Sequence, residues 1–136
     1  MDWALRSRRR GDAIVEFALL APMLVLILFG ILELGRVVDA WVVVHNAARE
    51  GARAGVLIYG DGDAATGAQS ATLAYLGSGL TGRTDIATTP TPSVQVTTDS
   101  VQVTAEVDVR LYTPLFATIL GVNPIPVRAT ASMRRQ

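Results

Sequence analysis

The sequence predicts an α+β protein in which one long N-terminal helix carries a short helix and a three-stranded antiparallel sheet. Two observations support this fold class. An uncharged apolar run, Phe17 to Leu32, is followed by helical periodicity that continues to about Leu57. After Pro92 the hydrophobic period changes to two, which is typical of half-buried strands.

Composition excludes several classes of chemistry. The chain has 136 residues and no cysteine, so disulfides, a thiol nucleophile and a thiolate metal site are impossible. Its basic residues are all arginine, which excludes a Schiff base and a lysine-dependent phosphate loop. Twelve basic and twelve acidic residues balance, which argues against a general nucleic-acid binder.

The apolar run predicts a membrane-spanning helix. Its span, Ala13 to Leu34, would extend about 33 Å as a helix, which matches the hydrocarbon core of a bilayer. No A-x-A-like site closes the run, so a secretory signal peptide fits poorly. Arg6, Arg8, Arg9 and Arg10 precede it and predict a cytoplasmic N-terminus, with the C-terminal domain outside.

Glu16 is the unusual residue of this span, because an ionised carboxylate inside an apolar region is costly. One interpretation places it near the helix end, reaching the lipid headgroups. The other is that it awaits a cation within the membrane. If the chain were cut after Gly11, the new α-ammonium of Asp12 on a neighbouring subunit would be a natural partner.

The long helix is predicted to run from about Asp12 to Leu57. Trp41 is interpreted as a core residue rather than an interface aromatic, because it falls on the apolar stripe, and His45 is expected at the seam between helix and sheet. Small residues recur every fourth position beyond the span, at Ala47, Gly51 and Gly55. They should receive either a packed sheet or a neighbouring subunit.

The second half of the chain reads as a short helix and then strands. The helix is expected over Ala64–Leu76, with Ala65, Ala68, Thr72 and Leu76 on one face and Gly77 as its stop. Arg83 to Pro92 reads as a linker-like loop. Alternating apolar residues then predict three strands: Val94–Thr97, Val101–Leu111 and Val127–Arg134. The apolar segment Pro114–Val122 connects the last two strands, as a loop or as a short helix.

Motifs for an enzyme or a cofactor are weak, and no cofactor, metal site or catalytic residue is predicted. Asp61 and Asp63 suggest a calcium loop, but the ligand and glycine positions that should follow are not filled. The G-x-G-x-x-G spelling that begins at Gly77 follows a helix rather than a strand, so it is no dinucleotide fingerprint. His45 has no second imidazole or thiol to work with.

The segment RRRGDAIVEFALLAPMLVLILFGILELGR, followed by NAAREGARAG, resembles the TadE-like family of tight-adherence (Flp-type) pilus assembly proteins, which are pseudopilins of the type IV pilin superfamily. The resemblance is specific over about residues 8–55. It implies a pilin-like fold with three parts: a basic prepilin leader (1–11), a long helix (12–57) with a transmembrane segment (13–34), and a small extracytoplasmic domain (58–136).

The resemblance also implies a function. Gly11 would precede the cut made by a prepilin peptidase, Asp12 would be the first mature residue, and Glu16 with Phe17 would serve subunit assembly. Arg8, Arg9 and Arg10 would form the basic leader. The expected partners are that peptidase, other pilins or pseudopilins, inner-membrane assembly proteins and lipid, with no nucleic acid.

The sequence supports two functions from different classes. The favoured one is a minor pseudopilin, because a major Flp pilin is little more than the membrane helix. Its expected location is the cytoplasmic (inner) membrane, and a location in the pilus stays open. The alternative is an uncleaved single-pass anchor that displays a binding or scaffold domain. An enzyme is not expected.

Overall fold

The structure is a computed structural model that describes residues 3–58 and 63–134, with side chains from Asp12 onward. The chain divides into two compact units, one ending at Leu34 and one beginning at Gly35. Helix α1, Trp3–Leu57, contributes to both. The predicted start at Asp12 was therefore too late. Alanine, leucine and arginine ahead of Gly11 are good helix formers, so nothing in that segment stops the helix.

In the first unit, the described side chains of α1 are almost all exposed. Leu19, Met23 and Ile27 are among the apolar residues with more than half of their surface open. The helix continues through Pro22. By length and composition, α1 is the one helix among the described residues that is able to cross a membrane.

The second unit confirms the predicted α+β class. Its sheet has the order β1-β2-β3 with antiparallel neighbours, and β1 and β2 form the predicted hairpin, with Val96 opposite Val101. At the other end of β2, Val109 lies opposite Ile125. The elements after α1 are α2 (Ala64–Leu80), β1 (Ser93–Val96), β2 (Ser100–Val109), α3 (Pro114–Leu120) and β3 (Ile125–Arg134).

The core lies between the apolar face of the sheet, the outer half of α1 and α2. Alternate residues of β2 are fully buried, as period-two patterning requires. Two groups of buried residues follow α1 in order. Ala40 and Val44 belong to the group that contains Val107 and Val109, and Ala52 to the group that contains Val101. Strand β2 therefore runs antiparallel to the outer half of α1.

Helix α2 is longer than predicted. It continues through Gly77 to Leu80, and the left-handed backbone conformation falls at Gly82, with φ of 77°. Packing explains the difference, because an added Cβ at Gly79 would lie 2.6 Å from a methyl group of Val43. This glycine permits close contact with α1 and does not end the helix. Of the predicted face, Ala68, Thr72 and Leu76 are buried, and Ala64 is buried with them in place of Ala65.

Trp41 is not a core residue, contrary to the prediction. Half of its surface is exposed, and its ring stacks on His45 with centroids 5.2 Å apart. His45 is only partly buried and lies in this stack, outside both groups of core residues. The core side of α1 consists of alanines and valines such as Ala40 and Val44, because small side chains let α2 and the sheet approach closely.

The segment 83–92 is not a loose linker, also contrary to the prediction. Ile86 forms a bridge with Val109, and the N–H of Ala87 donates to the carbonyl of Asp108 at 2.8 Å. Asp85 is only 5% exposed. The segment thus continues the sheet edge beside β2.

Candidate processing and assembly site

The predicted cut site lies within the helical backbone of α1. Gly11 and Asp12 are both helical, and the Asp12 side chain is exposed. The side chains of the predicted basic leader, Arg8, Arg9 and Arg10, lie outside the described residues. A peptide bond within an intact helix is poorly accessible to a peptidase. The predicted cut would therefore require local unwinding near Gly11, the residue with the weakest helix preference in this segment.

Glu16 and Phe17 both project from the first unit into the surroundings. Phe17 is 68% exposed, and Glu16 is exposed among apolar neighbours. Among the described residues Glu16 makes no ion pair. Glu16 follows Asp12 by four residues, so the two carboxylates lie on neighbouring turns of one helix face, about 6 Å apart along the axis. The Glu16 carboxylate therefore lies at the surface of the apolar segment.

The small-residue stripe Ala47, Gly51 and Gly55 is buried within the chain. An added Cβ at Gly51 would collide with the side chain of Thr72 and lie 2.9 Å from the carbonyl oxygen of Ala68. At Gly55 it would lie 2.8 Å from Val101 and 2.9 Å from the Ala68 methyl. The stripe receives α2 and one residue of the sheet, a helix neighbour that the sequence analysis did not consider.

A group of charged residues that the sequence analysis missed lies at the start of the second unit. We call it the Asp85 cluster: Arg36, Asp39, Arg83, Asp85 and Tyr112. The Arg83 guanidinium donates to Asp85 at 2.5 and 3.0 Å and to Asp39 at 2.6 Å. Arg36 lies 3.1 Å from the same Asp85 carboxylate. Two guanidinium groups therefore converge on one buried carboxylate.

These contacts shift the pKa values of Asp85 and Arg83. The hydrogen bond from Arg83 is the main cause that lowers the pKa of Asp85 from 3.8 to about 2, and a hydrogen bond from Arg36 adds to it, against the opposing effect of burial. The same hydrogen bond raises the pKa of Arg83. Both groups are therefore charged at any physiological pH.

The cluster also holds the end of β2 against α1. Arg36 donates to the carbonyl oxygen of Arg110 at 3.1 Å, and its guanidinium carbon lies 4.1 Å from the centre of the Tyr112 ring. The N–H of Arg110 donates to the carbonyl of Asp85 at 2.7 Å. One sequence signal was available. Arg83 and Asp85 are the only charged residues between Ala64 and Thr98.

A second surface on α1 is open. Val38 and Trp41 are each 50% exposed, and Val42 is 44% exposed. Trp41 and Val42 follow Val38 by three and four residues, so the three lie on one side of the helix, away from the core residues Ala40 and Val44. We call Val38, Trp41 and Val42 the outer face of α1. It is apolar, and within the described chain its side chains remain largely exposed.

The part of the chain that the structure describes contains no candidate metal site. No group of three His, Asp or Glu side chains is placed there to hold a metal ion. The polar contacts of the Asp85 cluster are ion pairs and hydrogen bonds between protein groups. Their arrangement is that of a structural network.

Together, the fold and the exposed apolar helix define the class of protein, a pilin-like α+β chain with one helix suited to anchor it in a membrane. Residues 11–53 match the family model described as TadE-like protein, which confirms the predicted resemblance to the TadE-like family over that segment. The match indicates a protein related to the Tad pilus. No curated protein and no solved structure matches the chain.

Proposed function

We propose that this protein is a minor pseudopilin of a tight-adherence (Flp-type) pilus or a related assembly system. A prepilin peptidase removes residues 1–11, and the mature subunit acts in pilus biogenesis from the cytoplasmic membrane. The observation that supports this most directly is the TadE-like match, which begins at Gly11 and contains Glu16 within an exposed apolar helix. Its further partners are other pilins, assembly proteins and lipid.

Cleavage supplies a cation for Glu16, which makes no ion pair among the residues that the structure describes. The new α-ammonium of Asp12 is positive at neutral pH, and in lipid two opposite charges attract strongly once both are desolvated. Asp12 and Glu16 are about one helical turn apart. When a neighbouring subunit is shifted along the bundle by that distance, the α-ammonium of one subunit lies level with Glu16 of the other. Processing and assembly are thereby coupled through one carboxylate.

Cleavage also changes the charge of the anchor. It removes four arginines and Asp2, which leaves eight basic and eleven acidic residues, a net charge of −3. The arginines fix the N-terminus on the cytoplasmic side of the membrane. Without them the helix is easier to withdraw from the membrane into a growing assembly.

The outer face of α1 extends the packing surface beyond the membrane. Val38, Trp41 and Val42 continue the exposed apolar surface past Leu34, whereas the opposite side of the helix is covered by the chain's own core. A helix of a neighbouring subunit can pack on this face. The folded second unit, which a subunit made of a helix alone lacks, favours a minor rather than a major subunit.

The assembly role is tested by replacing Glu16. In cells that contain the peptidase and the major pilin, Glu16→Ala should still be shortened but should co-purify poorly with the major pilin. Loss of one partner of a desolvated pair costs about 2 kcal/mol or more, which corresponds to roughly 30-fold weaker association. Ile14→Ala is the matched control, because Ile14 is also exposed, at 68%, but carries no charge.

The result decides between the two functions. Normal association of Glu16→Ala would contradict the pairing of Glu16 with an α-ammonium. Equal losses for both variants would show that apolar packing alone holds the helices together. An uncleaved anchor with a binding domain predicts no effect of either substitution on the function of the outer domain.

A further inference from the structure

Helix α3 is an apolar projection from the second unit. None of its residues is buried, and Leu115, Ile119 and Leu120 are 43%, 67% and 57% exposed. Val122, just after it, is 46% exposed. The surrounding segment from Leu111 to Val127 carries no charged residue. If only water surrounded α3, this apolar area would stay hydrated, and no burial would offset that cost.

The fold fixes where this projection lies. Because β2 runs antiparallel to the outer half of α1, its last residues lie beside the beginning of the second unit. Arg36 contacts both Arg110 and Tyr112 there. Asn123 closes the segment, since its side chain accepts a hydrogen bond from the N–H of Leu111 at 3.1 Å. Helix α3 is therefore held at the Arg36 end of the unit.

Arg36 follows Leu34, the last residue of the proposed span, by two positions in the chain. We propose that α3 inserts its apolar side chains into the outer leaflet of the membrane that α1 crosses. The helix would lie in the membrane interface, with Tyr112, 57% exposed, at the level of the headgroups. This inference rests on the membrane-spanning part of the proposed function.

The lipid surface fits α3 better than a protein partner does. A stable protein interface covers about 800 Å² on each side and is oriented by polar and charged groups at its rim. Helix α3 has seven residues, and its uncharged surroundings offer few groups to set such an orientation. A lipid surface requires only apolar area and an aromatic residue near the headgroups.

The absence of cysteine makes the test direct. The full chain is reconstituted in phosphatidylcholine vesicles with one fluorescent label at Ile119→Cys, Asp99→Cys or Leu26→Cys. Quenching is measured with lipids that carry a spin label at a shallow or a deep acyl position, and with a water-soluble quencher. Asp99 is exposed in the β1–β2 turn at the opposite end of the sheet, so it is the matched control.

We expect shallow lipid labels to quench Ile119→Cys strongly, deep labels to quench Leu26→Cys, and only the soluble quencher to affect Asp99→Cys. Adding Leu115→Asp should reduce the quenching at position 119 and leave position 26 unchanged. Because α3 buries no residue, this substitution should preserve the fold.

The failures of the two proposals can be distinguished. If position 26 is quenched but position 119 behaves like position 99, the α3 proposal is wrong and the span stands. If lipid labels quench positions 119 and 99 equally, the domain adsorbs without using α3 and the proposal is again wrong. If position 26 is not quenched, the membrane span fails, and the α3 proposal fails with it.

Discussion

Asp85 is the residue at which the second unit joins three parts of the chain. Its carboxylate receives Arg83 from its own segment and Arg36 from α1, and its carbonyl receives the N–H of Arg110 at the end of β2. Arg83 and Asp85 are mostly buried, at 15% and 7% side-chain exposure, so solvent screens their interaction little. Asp39 takes part in the same cluster but is 68% exposed.

Asp85→Asn should therefore destabilise the second unit strongly. It leaves two guanidinium groups beside a neutral amide, at a cost of about 3 kcal/mol in the free energy of unfolding. Asp39→Asn is the matched control, expected to cost less than about 1 kcal/mol because that carboxylate is exposed. Urea unfolding in detergent measures both, and equal losses would contradict the structural role given to Asp85.

The lowered pKa of Asp85 also predicts a pH dependence. The folded pKa, about 2, lies below the value of 3.8 that the free group has, so this stabilisation is complete above about pH 4 and is lost as the pH falls towards 2. The difference amounts to about 2 kcal/mol. Asp85→Asn lacks this titratable group, so its free energy of unfolding should fall less between about pH 4 and about pH 2 than that of the wild-type protein.

At the scale of elements, α1 and α2 pack through glycines. Gly51 and Gly55 of α1 and Gly79 of α2 each lie where a Cβ would come closer than real Cβ atoms do to the other helix or the sheet. Gly77, also in α2, has open space around it. The close packing therefore depends on Gly51, Gly55 and Gly79, whereas it does not depend on Gly77.

Gly51→Ala should destabilise the second unit, and Gly77→Ala should stabilise it. The first inserts a methyl group into Thr72 and the backbone of Ala68, at a cost of about 1–3 kcal/mol. The second adds helix preference without a collision, for a gain of about 0.5–1 kcal/mol. Thermal unfolding followed by circular dichroism measures both, and a stabilised Gly51→Ala would contradict the described helix contact.

The elements differ in how far the sequence could predict them. Period-two patterning predicted all three strands, because burial on one face leaves its record in every second residue. The outer part of α1 was misread because its core side is made of alanines, which give a weak hydrophobic signal, while Trp41 gives a strong one on the exposed side. The Asp85 cluster joins Arg36 to Asp85 across 49 positions, which no local pattern shows.

At the scale of the whole molecule, the chain separates two tasks. The first unit presents an apolar surface that contains the carboxylate of Glu16, and the second unit has its own core and ion-pair network. The proposed processing site could be read only from the sequence, through its resemblance to the TadE-like family. Geometry adds the outer face of α1 and the projection of α3, neither of which the sequence analysis identified.

Processing at Gly11 is the central claim, and the first residue of the mature protein tests it most directly. N-terminal sequencing of protein extracted from the membranes of cells that contain a prepilin peptidase should give Asp12. Gly11→Ala should retain Met1 in the same cells, whereas Gly35→Ala, a helical glycine with open space around it, should be cut normally. Wild-type protein that still begins at Met1 in the presence of the active peptidase would contradict the account.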